Sequence, residues 1–205
     1  MNRDLINETS PNWCYPETIW TQVRFDECVD VARRIEQLLN FTYGPKQVLV
    51  IVAGLPGSGK TTFCDDLDRI SELDLNWWVT RVDQAEYFSR ADLSIADHRM
   101  TDARRWTLEE LKRGIAESND VILLECINLV EFEFQKYIDE AWKQKIPSLC
   151  VHFVCDDEEE ARKMANRASW SVPSNVLRDW YSAYTYYPFG SPSKGVIPIA
   201  ARQLQ

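Results

Sequence analysis

The chain has 205 residues, of which 45% are hydrophobic, and its formal net charge at pH 7 is −9. This length and apolar content predict one globular domain with a sizeable core and exclude a disordered chain. The negative charge argues against broad non-specific binding to nucleic acid, although it is compatible with a local basic groove.

The N-terminal part of the chain precedes the core of the predicted domain. Residues 1–10 are polar and lack a signal-peptide core, and no apolar run of the chain approaches the length of a membrane span. The six cysteines form no C-x-x-C pair, which argues against zinc, and they suit a reducing compartment, so we expect a cytoplasmic protein. Helical spacing of apolar residues over 25–41 predicts an amphipathic helix within an N-terminal extension, 1–44.

Strands and helices alternate through the rest of the chain. The predicted strands are 48–53, 77–82, 121–124 and 149–154, and the predicted helices are 62–70, 101–118, 131–144, 157–167 and 174–184. Short apolar strands between helices predict an α/β three-layer sandwich with a central parallel sheet of four or five strands. Ligands of such sheets bind outside the carboxyl ends of the strands. The tail, 186–205, is expected either to cover the base of a nucleotide or to mediate self-association.

One stretch has the strongest chemical signature. Gly54-Leu55-Pro56-Gly57-Ser58-Gly59-Lys60-Thr61 matches G-x-x-x-x-G-K-[ST] and stands between an apolar strand and a glycine-free helix. Glycines let the backbone wrap phosphate oxygens with its N–H groups, and the helix presents its positive end to the anion. We therefore predict binding of ATP, or another nucleoside triphosphate, with Mg²⁺. The predicted nucleotide-binding residues are Gly54, Pro56, Gly57, Ser58, Gly59, Lys60, Thr61 and Thr62; Lys60 would reach the β- and γ-phosphates, and Thr61 would ligate the metal.

Two carboxylates follow predicted strands. Asp83 comes directly after the second strand, where it is either a general base for an acceptor hydroxyl or the N-cap of a helix. Glu125 ends the third strand, where it is either a carboxylate near Mg²⁺ or a partly buried group bonded to loop backbone. The acidic run 156–160 is interpreted as a helix start rather than a metal site, because acids complement the helix dipole.

Basic residues occur in two segments that could face the phosphates or the acceptor. Lys163 and Arg167 lie on the helix after the acidic run, where a lid would bring them to transferring phosphates, but they could equally be surface charges. A second group, beside Trp106, is a candidate strand-binding groove or an ordinary charged helix face. Its members are Arg99, Arg104 and Arg105.

In order and spacing, four stretches resemble the polynucleotide-kinase-like phosphate-loop kinases. The first two are the glycine-rich loop and the segment Arg81-Val82-Asp83. The third, Val121-Ile122-Leu123-Leu124-Glu125-Cys126-Ile127-Asn128-Leu129, is similar to a strand running into a "D-x-T-N-L" turn. The fourth, Ala161-Arg162-Lys163-Met164-Ala165-Asn166-Arg167 followed by Val172-Pro173, looks like an arginine-bearing lid. The resemblance covers residues 48–185. It implies an adenylate-kinase-like fold with a helical lid, here 156–185.

The resemblance also implies roles for individual residues. Family members transfer the γ-phosphate of ATP to a hydroxyl, commonly the 5′-OH of DNA or RNA. By position, Asp83 is the implied base, Arg167 and Lys163 the implied lid cations, and Asn128 the implied turn asparagine. Some members hold the substrate phosphate with an arginine three residues after the base; Glu86 occupies that position here, and the nearby Arg90 could substitute.

The sequence thus favours an ATP-dependent kinase acting on a nucleic-acid hydroxyl, either a polynucleotide 5′-OH or a hydroxymethyl base in DNA. Two alternatives stay open. One is a phosphotransferase for a small molecule or nucleoside. The other is a non-catalytic nucleotide-binding module of a repair assembly. This alternative is motivated by Glu125 and Ile127, which stand where the "D-x-T-N-L" turn has Asp and Thr.

Overall fold

A computed structural model describes residues 24–40, 46–90, 100–127, 131–155, 157–168, 172–186 and 196–200. Two of the predicted acceptor-binding residues, Arg99 and Asn128, lie outside these ranges.

The centre of the molecule is a parallel sheet, as predicted. Its strands are β1 Val48–Gly54, β2 Val79–Asp83, β3 Val121–Cys126, β4 Ser148–Val154 and β5 Val196–Ala200. The strand order is β2-β3-β1-β4-β5, and every neighbouring pair is parallel. The first three strands therefore finish at the same edge of the sheet, with Asp83 paired in register with Glu125.

Seven α-helices lie within the described ranges. They are α1 Arg24–Leu39, α2 Lys60–Ile70, α3 Ala85–Arg90, α4 Met100–Glu117, α5 Glu131–Lys143, α6 Glu158–Arg167 and α7 Ser174–Tyr186. A π-helical turn, Ser71–Leu75, extends α2, and β2 consequently begins two residues later than predicted. The short α3 falls in a polar segment that carried no helix prediction. None of the described helices is long and apolar enough to cross a membrane.

The sheet is buried on both faces, because strand residues alternate between two hydrophobic layers. Val50 and Val52 of β1 pack in one layer with residues of α1 and α2. Leu49 and Ile51 pack in the other layer with residues of α4 and α5. This arrangement is the predicted three-layer sandwich, and the predicted N-terminal helix forms part of it.

Part of the C-terminal tail, for which the sequence predicted no strand, forms β5, which pairs with β4 at the edge of the described sheet. Its expected roles toward a nucleotide or a second copy stay predictions. Pro198 lies within β5, and proline has no N–H to donate to a ladder, so it is tolerated in a strand mainly at such an edge. The proline and the polar residues before it obscured the strand in the sequence.

Candidate active site

A cavity of about 370 Å³ lies where the carboxyl ends of β1, β2 and β3 meet the lid. It brings together residues from five parts of the chain. Its lining consists of Pro56, Gly57, Gly59, Lys60, Thr61 and Thr62 from the loop and α2, Asp83, Gln84 and Ala85 from the end of β2, Glu125, Cys126 and Ile127 from the end of β3, and Arg167 and Ala168 from the end of α6.

The glycine-rich loop presents hydrogen-bond donors to this cavity. Gly57 and Gly59 have φ angles of +71° and +101°, which glycine adopts without strain and which allow the turn into α2. The Lys60 ammonium is buried and donates to the carbonyl oxygens of Gly54 and Leu55, both at 2.9 Å. Burial lowers the pKa of Lys60, and the charge of Glu125 opposes that shift.

The loop fits a phosphate ligand by the chemistry of its donors. The Ser58 hydroxyl is buried and has no hydrogen-bond partner among the described residues. This hydroxyl lies close to Gly54 and outside the lining of the cavity, so the donors that face a ligand are those of the other loop residues. Lys60 and the N-terminus of α2 add positive charge, which favours an anion.

Thr61 and Glu125 meet at the base of the cavity. The Thr61 hydroxyl donates to Glu125 Oε1 at 2.5 Å, and Arg81 donates to Glu125 Oε2 at 2.9 Å. Arg81 also binds Asp65 on α2 at 2.5 Å, so that it ties β2, β3 and α2 together. A hydroxyl and a carboxylate side by side are hard oxygen ligands of the kind that Mg²⁺ prefers, and the pair therefore fits this metal.

Asp83 lies between the end of β2 and the start of α3. Its Oδ1 accepts a hydrogen bond from the backbone N–H of Ala85 at 2.8 Å, at the start of α3. Asp83 also lines the cavity together with Lys60 and Thr61, and its role as a base stays a prediction. Burial, and then the charge of Glu125, raise the pKa of Asp83 to about 6, while the Ala85 N–H and Arg81 act in the opposite direction.

The two predicted cations of α6 differ in their place relative to the cavity. Arg167 lines the cavity, whereas Lys163 is half exposed, pairs with Glu159 at 2.8 Å and lies outside the lining. Asp157 accepts from the Glu160 N–H at 2.7 Å and caps α6, in agreement with the interpretation of the acidic run as a helix start. The proposed phosphate contact of Lys163 stays a prediction.

The three predicted acceptor-side arginines that the structure describes are engaged with acids. Arg104 pairs with Glu133, Arg105 pairs with Asp102 at 2.6 Å, and Arg90 pairs with Glu86 at 2.6 Å. The Arg90 guanidinium also lies 5.4 Å from the ring centre of Trp106. None of these three arginines lines the cavity.

Two residues of the site had no predicted role. Arg81 stands two residues before Asp83 in β2, and Gln84 follows Asp83 directly. The signal for Arg81 was available, because alternate strand residues share a face and Arg81 therefore shares the face of Asp83. No comparable pattern distinguishes Gln84 from an ordinary loop residue.

Comparisons with known proteins agree with this fold. A family model described as "AAA domain" matches residues 50–172, which is more than half of the chain. A search of curated proteins found no match.

Two solved structures with a TM-score above 0.5 share the architecture, and a third is similar at a lower score. Kti12 from Chaetomium thermophilum, in complex with ADP-AlF3, is 21% identical with a TM-score of 0.55, over 74% of this chain and 88% of that one. A chain of the Pnkp1/Rnl/Hen1 RNA repair complex is 18% identical with a TM-score of 0.55, over 80% of this chain and 52% of that one. A gluconokinase from Sinorhizobium meliloti 1021 is 16% identical with a TM-score of 0.49, over 78% of this chain and 85% of that one.

Proposed function

This chain belongs to the AAA-domain family of P-loop proteins, and we propose that it is an ATP-dependent kinase that transfers the γ-phosphate to a hydroxyl group. One observation carries the proposal. The Asp83 carboxylate lines the same cavity as the phosphate-loop residues Lys60 and Thr61. Phosphoryl transfer needs this combination, because the acceptor hydroxyl must be deprotonated close to the phosphate that it attacks.

The donor side of the reaction follows from the loop. Lys60, Ser58 and the loop N–H groups would hold the β- and γ-phosphates, and Arg167 would approach them from the lid. Thr61 and Glu125 would hold Mg²⁺, which supplies neutralisation of the charge on the phosphates. Lys60 and Arg167 would stabilise the charge that develops on the transferred group.

Asp83 would act on the acceptor side. Its carboxylate takes the proton of the acceptor hydroxyl as the hydroxyl oxygen forms a bond to the γ-phosphorus. The bond from that phosphorus to the bridging oxygen breaks, and ADP leaves. A pKa near 6 is suited to a base that works near neutral pH, because such a group is mostly ionised and yet accepts a proton readily.

We propose a hydroxyl of a nucleic acid as the first acceptor class, either a polynucleotide 5′-OH or a hydroxymethyl base in DNA. Support comes from the order of the four stretches described above and from the likeness of the fold to a chain of an RNA repair complex. On this proposal, the residues that the sequence singled out for the acceptor bind the strand. They are Arg90, Arg99, Arg104, Arg105 and Asn128.

A small hydroxyl compound is the second candidate, and a specific observation favours it. The three described arginines of the proposed groove are each paired with an acid. Paired arginines attract a polyanion less than free ones do, and the net charge of −9 repels it. A compact neutral acceptor would meet neither obstacle.

An acceptor panel tests the proposal. The panel contains a 5′-hydroxyl oligoribonucleotide, a 5′-hydroxyl DNA oligomer, hydroxymethylated DNA, nucleosides and small alcohols, each incubated with γ-labelled ATP and Mg²⁺. We expect labelling of one class. Asp83→Asn should lower that rate by about 10²- to 10⁴-fold, the usual contribution of a general base. Lys60→Ala should abolish it.

Two exposed residues of α5 provide matched controls. Asp139→Asn and Lys143→Ala make the same chemical changes away from the cavity and should transfer phosphate at the wild-type rate. Full activity of Asp83→Asn would remove the base assignment. Binding of ATP without labelling of any acceptor would favour the module that binds nucleotide without turnover.

A further inference from the structure

Gln84 is a buried polar residue that the reaction outlined above does not use. It follows Asp83 directly in the chain and lines the same cavity. Its relative exposure is 0%, although glutamine is mostly found at protein surfaces. A glutamine in this position therefore needs a physical reason, and its hydrogen bonds indicate one.

Two hydrogen bonds hold Gln84 against the end of β3. Its backbone N–H donates to the Glu125 carbonyl oxygen at 2.9 Å, one residue beyond the register pair of Asp83 and Glu125. Its side-chain Oε1 accepts from the backbone N–H of Ile127 at 3.2 Å. The second bond fixes the orientation of the carboxamide, because a reversed amide would set an NH₂ group against that N–H.

The other end of the carboxamide finds no hydrogen-bond partner in the part of the chain that the structure describes. Nε2 is buried and lacks a hydrogen-bond acceptor among the described residues. Leaving a buried donor unsatisfied is one of the more costly arrangements in a folded protein. At the lining of a cavity that is otherwise built for phosphoryl transfer, such a donor has a natural use in binding a ligand.

We propose that Gln84 is a specificity-determining residue that donates a hydrogen bond from Nε2 to an oxygen atom of the phosphate acceptor. This inference rests on the proposed function, because the oxygen belongs to the molecule whose hydroxyl Asp83 deprotonates. The ligand atom is a hydroxyl, carbonyl or phosphate oxygen. A group with only donors, such as an ammonium, would face the N–H bonds of Gln84 and is rejected.

Two variants separate this role from a purely structural one. Gln84→Met has similar volume but loses both the acceptor for Ile127 and the donor. Gln84→Glu keeps an oxygen for the Ile127 N–H and loses the NH₂ donor, and it also adds a carboxyl group next to Asp83. Ser89→Ala on α3, an exposed position outside the cavity, is the matched control.

The measurements are acceptor kcat/KM over the panel above, affinity for a fluorescent ATP analogue, acceptor-free ATP hydrolysis and melting temperature. We expect both Gln84 variants to lose about tenfold in acceptor kcat/KM, the worth of one hydrogen bond. Their affinity for the ATP analogue should match that of the wild type. Ser89→Ala should change neither quantity.

Each other result contradicts the inference. A defect in Gln84→Met with normal Gln84→Glu would assign Gln84 to holding Ile127. Equal loss of ATP affinity and acceptor kcat/KM would assign it to the nucleotide side. Unchanged kinetics in both variants would remove the role altogether.

Failure of the proposed function is distinguishable from failure of this inference. If the wild type labels no acceptor of the panel, ATP hydrolysis still uses an acceptor oxygen, that of water. Hydrolysis slowed about tenfold in both variants, at unchanged ATP affinity, would then support Gln84 as a donor to that oxygen. Hydrolysis at the wild-type rate would refute it. A wild-type protein that binds ATP and neither transfers nor hydrolyses it would refute both proposals.

Discussion

The Asp83 carboxylate is more basic than an ordinary aspartate for two reasons, its burial and the charge of one neighbour. The protein around it removes water, and Glu125, its register partner on β3, adds negative charge; together they raise its pKa to about 6. Protonation of Asp83 removes the proposed base, so acceptor kcat/KM should fall as the pH decreases through that value. The fall approaches tenfold per pH unit below it.

Carboxyl-carbon NMR of the nucleotide-free protein measures this pKa directly. The Asp83 signal, assigned by its loss in Asp83→Asn, should titrate with a midpoint of about 6. Glu125→Gln removes a neighbouring negative charge and should move the midpoint to lower pH. A midpoint near the ordinary value of about 3.9 in the wild type would contradict the proposed environment.

At the scale of elements, the loop and the lid are in direct backbone contact at Gly57. A Cβ atom added at Gly57 would overlap the Met164 carbonyl oxygen of α6 and stand 3.1 Å from the Ala168 nitrogen. The residue also has φ +71°, which alanine adopts only with strain. Gly57→Ala should therefore separate the loop from the helix that ends at Arg167. We expect ATP affinity to fall by about 5- to 150-fold, since an imposed clash of this kind typically costs about 1–3 kcal/mol.

Gly114→Ala on α4 is the matched control for that change. A Cβ at Gly114 meets side-chain atoms only, the nearest being Thr80 Cγ2 at 3.1 Å, and it lies far along the chain from the loop. Alanine also has the higher helix propensity. ATP affinity of Gly114→Ala should equal that of the wild type. An equal loss in both variants would mean that Gly57 acts through general stability rather than through the lid.

For the molecule as a whole, the sequence predicted those elements whose signals are local. Apolar strands between helices predicted the parallel sheet, because strands buried on both faces must be continuously apolar. The loop motif predicted its own place at the end of β1. The exceptions are the short α3, which lies in a polar segment, and β5, where Pro198 weakens the strand pattern and only pairing with β4, distant in sequence, fixes the strand.

The same distinction between local and distant signals applies to the site. The loop residues and Asp83 were predictable because each follows a strand. The link from Thr61 through Glu125 to Arg81 depends on β2, β3 and α2 meeting in space, and no local pattern specifies it. The ion pair of Arg104 with Glu133 joins α4 to α5. The basic groove was predicted from the sequence of α4 alone, which does not show that an acid of α5 neutralises Arg104.

The stability of the whole molecule should depend on pH through His152, which lies in β4 with 1% exposure. Burial, and then the positive charge of Lys60, lower its pKa to about 3 from 6.5. Between these two values the unfolded chain binds a proton that the folded chain excludes, so the free energy of unfolding falls as the pH decreases from 6.5. Asp83 acts in the opposite direction between 3.8 and about 6, because its folded state binds the extra proton.

Comparing a His152 variant with the wild type at each pH isolates the contribution of His152, because Asp83 is present in both proteins. The free energy of unfolding of His152→Gln minus that of the wild type, measured in urea, should be about 2 kcal/mol more favourable to the variant near pH 5 than near pH 7.5. Equal differences at the two pH values would mean that His152 is protonated in the folded protein.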